Sequence, residues 1–270
     1  MLKDITIGQY FPGHSVLHRL DPRIKMVLTI AYIVLLFLVK NSVGFAVSIA
    51  FLVVCYTVAK IPVKLILRSL KPIVPILIFT GVLNLLFVSG EHTIFEWGIF
   101  HVSQEGIYTA VTMAIRVLCL IAGSSLLTYT TSPIALTDAI ERLLGPLKVL
   151  HFPVHELAMM MSIALRFIPT LIEETDKIMS AQKARGADLE SGGLMQRAKA
   201  LVPILIPLFV SAFRRAEELA LAMECRCYHG GKGRTRMKQL HLTAADFAAC
   251  AVMAVMIAGL VLLNRLPIPW

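Results

Sequence analysis

The residues whose types and spacing best suit chemistry are two arginines in matching settings. Ala181-Gln182-Lys183-Ala184-Arg185-Gly186 and Ala222-Met223-Glu224-Cys225-Arg226-Cys227 both read Ala-x-x-small-Arg-small. The chemistry is recognition, not bond making. A guanidinium offers five donors in a rigid fork that matches carboxylates and carbonyls. Ala184 and Gly186, like Cys225 and Cys227, carry little side chain, so a second surface can approach the backbone while the arginine extends. A cation at a helix C-terminus also gains about 0.3–1 kcal/mol from the helix dipole. One such arginine is an ordinary surface cation. Two in equivalent contexts read as plugs for two similar sockets.

Other constellations are weaker. Cys225 and Cys227 with His229 lack the second ligand pair of a zinc site, and Arg226 between them would repel a cation. The remaining cysteines, Cys55, Cys119 and Cys250, lie in apolar runs, where a thiol acts as a small hydrophobe. His151 and His155-Glu156 are the best residues for a membrane enzyme, but Pro153 interrupts the helical spacing between the histidines. Gly230-Gly231-Lys232-Gly233-Arg234-Thr235 lacks the spacing of a phosphate-binding loop, so the chain has no ATPase site of its own.

The elements that must position the arginines are two long amphipathic helices. The first is expected from His155 towards Arg185, apolar at first and polar after Pro169, with a bend there. The second is expected from Pro203 or Pro207 towards Arg226, after a break at Gly192-Gly193. Leu205, Leu208, Phe209, Ala212, Phe213, Ala216, Leu219, Ala220 and Met223 draw its apolar stripe. Arg214, Arg215, Glu217, Glu218 and Glu224 fall largely off it. Upstream, Ser132 is expected to cap a helix from Pro133 that Gly145-Pro146 ends.

The rest reads as membrane protein. Hydrophobic residues make up 57% of 270, charged residues 16%, and mean hydropathy is +0.76. Soluble domains run nearer 45–50% apolar. Expected spans are Met26–Val39, Val43–Ala59, Ile73–Val88, Ile107–Thr128 and Ala244–Leu263. No cleavable signal peptide is read at the start. Arg19, Arg23 and Lys25 precede the first span. Lys60, Lys64, Arg68 and Lys71 separate the second and third. Lys232, Arg234, Arg236 and Lys238 precede the last, while Ser89 to Gly106 holds Glu91, Glu96 and Glu105 and no Lys or Arg. The positive-inside rule then puts the N-terminus and the insert in the cytoplasm and the C-terminus outside. The net charge of +9 is read as membrane orientation and anionic-lipid contact, not nucleic-acid binding. Arg116, inside the fourth span, is expected to have a structural partner rather than to mark a transport site. The expected fold class is an all-α integral membrane protein with about five transmembrane helices plus long cytoplasmic coupling helices. Its regions are 1–131, membrane helices; 132–240, coupling helices; and 241–270, a last membrane helix.

The chain resembles the T component, the transmembrane coupling protein, of energy-coupling factor transporters. The run from Ile7-Gly8-Gln9-Tyr10-Phe11-Pro12-Gly13 through Leu20-Asp21-Pro22-Arg23-Ile24-Lys25 is similar to that family's opening signature. The two arginine phrases resemble its paired coupling motifs, usually Ala-Arg-Gly and a variant. The resemblance implies that Ala184, Arg185 and Gly186, and Cys225, Arg226 and Cys227, dock two ATP-binding-cassette ATPases. Cys225 and Cys227 depart from the commoner Ala and Gly but stay small. It further implies a substrate-binding membrane S component, vitamin or metal-ion uptake, and a bacterial or archaeal cell membrane. ATP and Mg would belong to the partner ATPases, leaving this chain no cofactor and no catalysis. The Tyr-Phe-Pro-Gly opening is closer to the shared type, which serves several S components, than to types dedicated to cobalt, nickel or biotin. A stand-alone secondary carrier is the competing class, but such carriers show matched membrane halves, and here the repeated element is cytoplasmic.

Overall fold

Prolines punctuate the first half of the chain into helices, and a capping side chain just before the helix starts several of them. The computed structural model describes residues 10–39, 41–87, 93–97, 100–150, 152–187, 193–231 and 240–265. Ser15 opens α1 (Val16–Arg19) and the Asp21 carboxylate caps α2 (Pro22–Leu38) by accepting from the Arg23 N–H. Pro22 sits in the first turn, where its missing N–H costs nothing. Then follow α3 (Ser42–Ala59), α4 (Val63–Leu70) and α5 (Val74–Phe87), the last two joined by a 3-10 turn at Lys71–Ile73 that contains Pro72. A two-stranded antiparallel hairpin, β1 (Thr93–Trp97) and β2 (Phe100–Ser103), sets Trp97 opposite Phe100. It occupies the segment expected to be loop. Ser103 caps α6 (Gln104–Thr130) through the Gly106 N–H. The Ser132 hydroxyl accepts from Ala135, as expected, at the start of α7 (Pro133–Leu143). After a 3-10 stretch at Gly145–Leu150 come α8 (Val154–Ala184), α9 (Leu194–Glu224) and α10 (Ala244–Arg265).

Among the described residues, five helical stretches are long and apolar enough to cross a membrane: Ser42–Ala59, Val63–Leu85, Gln104–Thr130, Val154–Ala184 and Ala244–Asn264. Three match expected spans closely, and Val63–Leu85 overlaps the expected span Ile73–Val88 but starts ten residues earlier, taking in Lys64, Arg68 and Lys71. The expected span Met26–Val39 falls on α2, whose 17 residues lie at the short end for a spanning helix. Its Val27, Ile30, Val34 and Phe37 are nonetheless exposed along one face, as for a helix facing lipid. The fifth stretch is α8, whose apolar first half carries it over the threshold.

The trace divides into two compact units, one of Gly8–Ala139 with Gln239–Trp270, the other holding Ile140–Lys238. In the first, Tyr32, Leu36, Phe45, Leu52, Cys119, Met253 and Leu260 form the core. Lipid is as apolar as leucine, so helices there associate by close packing and interhelical hydrogen bonds. Gly123 admits the Tyr32 ring, which a Cβ would overlap at 2.9 Å. Tyr56 donates to the Ala122 carbonyl at 2.7 Å and Tyr129 to that of Leu65 at 3.0 Å. Arg116 has the structural role expected of it. It donates to the Val39 carbonyl at 3.1 Å, where α2 ends, and lies over the Phe45 ring.

The opening signature proves to be a polar knot. The Phe11 N–H donates to Tyr129 and the Asp21 N–H to the Asp246 carboxylate on α10. Arg23 pairs with Asp21 at 2.7 Å and reaches the Leu240 carbonyl. Lys25, 7% exposed, gives its three donors to His18, Thr130 and Thr131. Four helices, α1, α2, α6 and α10, are tied at one end. Ile7 to Gln9 of the signature lie outside the described residues.

His18 makes part of this knot sensitive to pH. Its Nε2 donates to the Phe11 carbonyl at 3.0 Å, so its Nδ1, 2.7 Å from the Ser15 hydroxyl, accepts when the ring is neutral. Burial pushes the imidazole below its ordinary 6.5. The Phe11 carbonyl opposes that shift, and the Lys25 and His14 charges add to it. The unfolded chain therefore holds more protons just below pH 6.5, and stability falls as the pH drops through that range. Thermal unfolding followed from pH 7 to 5 should show this fall, and His18→Gln should flatten it.

Candidate docking site on two arginine-tipped helices

The two arginine phrases fold into the same helix ending. At the end of α8, Gly186 N–H donates to the Lys183 carbonyl at 3.0 Å and Ala187 N–H to Gln182 at 3.0 Å. At the end of α9, Cys227 N–H donates to Glu224 at 2.8 Å and Tyr228 N–H to Met223 at 3.1 Å. These two bonds fall at equivalent residues of the two phrases, as do the bonds from the Arg185 N–H to Gln182 and from the Arg226 N–H to Met223. This paired closure needs a left-handed residue just past the helix. Gly186 (φ 87°) and Cys227 (φ 54°) fill that place. Arg185 and Arg226 precede them, exposed at the negative helix ends with Ala184 and Cys225 also exposed. Among the described residues neither guanidinium has a hydrogen-bond partner.

The left-handed position treats the two residues differently. Glycine adopts it freely, whereas a side chain there costs on the order of 1–2 kcal/mol. Gly186→Ala should therefore destabilise the α8 end by about 1 kcal/mol, although no atom crowds the site. Cys227→Gly should gain a similar amount at the α9 end. Hydrogen exchange at the Ala187 and Tyr228 amides reads both changes directly.

Helices α8 and α9 pair antiparallel. Glu174 accepts from Arg215 at 2.6 Å and from the Ser211 hydroxyl, and Gln182 donates to the Pro203 carbonyl at 3.2 Å. Glu174 and Arg215 stand at equivalent places, each about three turns, or roughly 16 Å, before its arginine tip. The pair therefore acts as a midpoint with arms of equal length pointing opposite ways. The tips end up on the order of 30 Å apart along the helices, too far to enter one pocket.

The structure corrects several details. Helix α9 begins at Leu194, not at Pro203 or Pro207, which both lie inside it. Gly193 starts it, its N–H held by the Gln196 side chain. Gly192 lies outside the described residues. Helix α8 runs through Pro169, as expected. The face of α9 turned inward within this unit passes through Ile204, Leu208, Ser211, Ala212, Arg215 and Leu219. Leu205, Phe209 and Phe213 of the expected stripe are exposed instead, with Phe209 against Phe213. Arg215, expected off the stripe, is its central polar contact. One signal would have found the midpoint: counting back equally from both arginines reaches Glu174 and Arg215, opposite charges.

The comparisons with known proteins agree on one family. The family profile described as cobalt transport protein, CbiQ, matches residues 13–237. The chain is 52% identical over 264 residues to the energy-coupling factor transporter transmembrane protein EcfT of Ruminiclostridium cellulolyticum, covering 98% of both chains. It is 55% identical over 261 residues to the same protein of Clostridium kluyveri, covering 96% of this chain and 97% of that one. With the Bacillus subtilis protein it shares 46% over 264 residues, 98% of this chain and 100% of that one. The chain belongs to the family of energy-coupling factor transporter transmembrane proteins.

As an energy-coupling factor transporter component it is a multi-pass membrane protein of transport. Of the residues singled out for a membrane enzyme, His155 is engaged elsewhere. His155 binds Glu141 through Nδ1 at 3.1 Å, and Gly231 packs so closely on its ring that a Cβ would collide. Gly231 follows the second arginine phrase, so this contact fastens that segment to the start of α8. His151 lies outside the described residues. Among the described residues no group of three or more His, Cys, Asp or Glu is placed to hold a metal ion, and Cys225 and Cys227 are exposed free thiols.

Proposed function

We propose that this chain is the non-catalytic coupling subunit of an energy-coupling factor importer, with each arginine tip docked in one of two ATP-binding-cassette ATPases. The observation that carries this reading is the shared helix ending. Two exposed guanidinium groups without a partner among the described residues, on the same cap and at equal distances from a midpoint, suit two homologous sockets. ATP and Mg are bound by the ATPases. Their closure moves α8 and α9, and that motion reorients a membrane-embedded S component and releases its vitamin or micronutrient inside.

The near-full-length relatives carry the general energy-coupling factor name, which favours a shared subunit serving exchangeable S components over one dedicated to cobalt, nickel or biotin. The Lys and Arg distribution favours a cytoplasmic N-terminus and arginine tips, with the C-terminus outside. Affinity purification from the native membrane in mild detergent tests the assembly. Two ATPases with several small membrane proteins are expected. A single small membrane protein would indicate the dedicated type, and the chain alone in good yield would count against coupling.

The Glu174–Arg215 midpoint makes a separate prediction. Glu174→Ala leaves Arg215 without its carboxylate and loosens the joint between the arms without touching either tip. Both ATPases should remain bound while ATP-driven uptake falls severalfold. Co-purification and uptake measured on the same preparation separate the two effects.

A further inference from the structure

Between α3 and α10, beneath α1, lies an apolar cleft of about 530 Å³. That is within the range of roughly 300–1,000 Å³ found for small-molecule sites. Tyr32, Leu126 and Met253 line its inner part. Val54 on α3 and Val252 on α10 stand exposed at its mouth. Both of those helices are apolar enough to span a membrane, so the mouth opens sideways onto acyl chains and not onto water. The lined stretch of α10 runs from Ala245 to Met253, roughly 12 Å of helix. That is most of one leaflet in a hydrocarbon core about 30 Å thick.

The two ends of the cleft differ. Its polar lining is gathered at the end where α2 and α10 begin and α6 finishes, at Lys25, Thr29 and Thr130. Lys25 spends its donors inside the protein, on His18, Thr130 and Thr131. Arg19 does not. It is exposed, has no partner among the described residues, and stands one turn from Val16 on the same face of α1. Val16 and Leu17 of that helix, and Leu20 just after it, line the cleft. An occupant must therefore be apolar for about 12 Å, reach the site from within the bilayer, and be anionic beside Arg19. A protein helix, about 10–12 Å across, is too wide for this volume at that depth. We propose that the cleft holds one acyl chain of an anionic phospholipid, its phosphate beside Arg19. The site lies wholly within the membrane unit, so it stands or falls separately from docking at the arginine tips.

The test is native mass spectrometry of the full chain with its co-purified subunits. The protein is first equilibrated in vesicles of equal phosphatidylglycerol and phosphatidylcholine and then extracted in mild detergent. One retained phospholipid per chain is expected, with phosphatidylglycerol favoured about 5-fold, the effect of one cation near an anionic headgroup. Arg19→Glu, at an exposed position, should keep the lipid and lose the preference. Ala249→Phe should displace the lipid by filling the cleft. Ala248→Phe, on its exposed rim, blocks the mouth without depending on interior repacking. Equal retention of both headgroups by the unaltered protein, no retained lipid, or unchanged lipid in both phenylalanine variants would overturn the proposal. So would cross-linking of a Val252→Cys chain to another membrane protein at this mouth.

Discussion

Reversing both tips, Arg185→Glu with Arg226→Glu, is expected to release both ATPases and abolish ATP-driven uptake while the chain still inserts in the membrane. Each change places an anion where the proposed socket receives a cation. Charge-assisted hydrogen bonds contribute about 1.5–3 kcal/mol each, so one reversal should weaken its own site by ten-fold or more. The tips are on the order of 30 Å apart, so their binding losses should add. Neither arginine has a partner among the described residues, and the helix-end bonds are made by backbone, so nothing in the described fold rests on either guanidinium. Uptake and ATPase co-purification at matched expression check this. Unimpaired uptake by the double variant would remove the docking assignment.

Asp246→Asn should destabilise the membrane unit more than any conservative change in its apolar core. Asp246 is 1% exposed, and every hydrogen-bond partner its carboxylate has among the described residues is a donor. One oxygen accepts from Asp21 N–H at 2.7 Å, and the other from the Thr243 N–H at 2.7 Å and hydroxyl at 2.8 Å. Asparagine has the same shape, but it turns one acceptor into an NH₂ that faces a donor. Buried groups left unsatisfied cost about 1–3 kcal/mol each. The loss should be about 3 kcal/mol, read as a lowered unfolding midpoint in detergent. Hydrogen exchange should localise it to the starts of α2 and α10, which this carboxylate joins. Asp246→Ala should cost at least as much.

The sequence reveals the helices of this protein more readily than the faces by which they pack. The end of α8 was legible at Ala184-Arg185-Gly186 because a polar helix running into glycine has an unambiguous stop. The start of α9 was not. Pro203 and Pro207 look like helix openers, yet a proline inside a long helix costs only local bonds that packing can offset. The capping glutamine at Gln196 is a quieter signal than a proline. The stripe on α9 misled for a different reason. In a membrane-associated chain, Leu205, Phe209 and Phe213 need not face the protein, so apolar spacing alone does not choose the packed face. Polar residues chose it: Ser211 and Arg215 meet Glu174. The opening signature was legible as a pattern, but its meaning lay in Asp246, more than two hundred residues away.

The docking phrases were legible because they are duplicated, and the structure adds that the duplication extends to the backbone. Glycine at Gly186 is an expected left-handed residue. Cysteine at Cys227 in the same conformation is not, and only the bonds of Cys227 and Tyr228 to the preceding turn disclose it.

The intact mass of the complex purified on this chain tests the central claim most directly. The account predicts two ATPase subunits per chain in the unaltered protein, weakened retention of one in either single arginine reversal, and none in the double. A complex with a single ATPase per chain, or an unchanged mass for the double reversal, would contradict it.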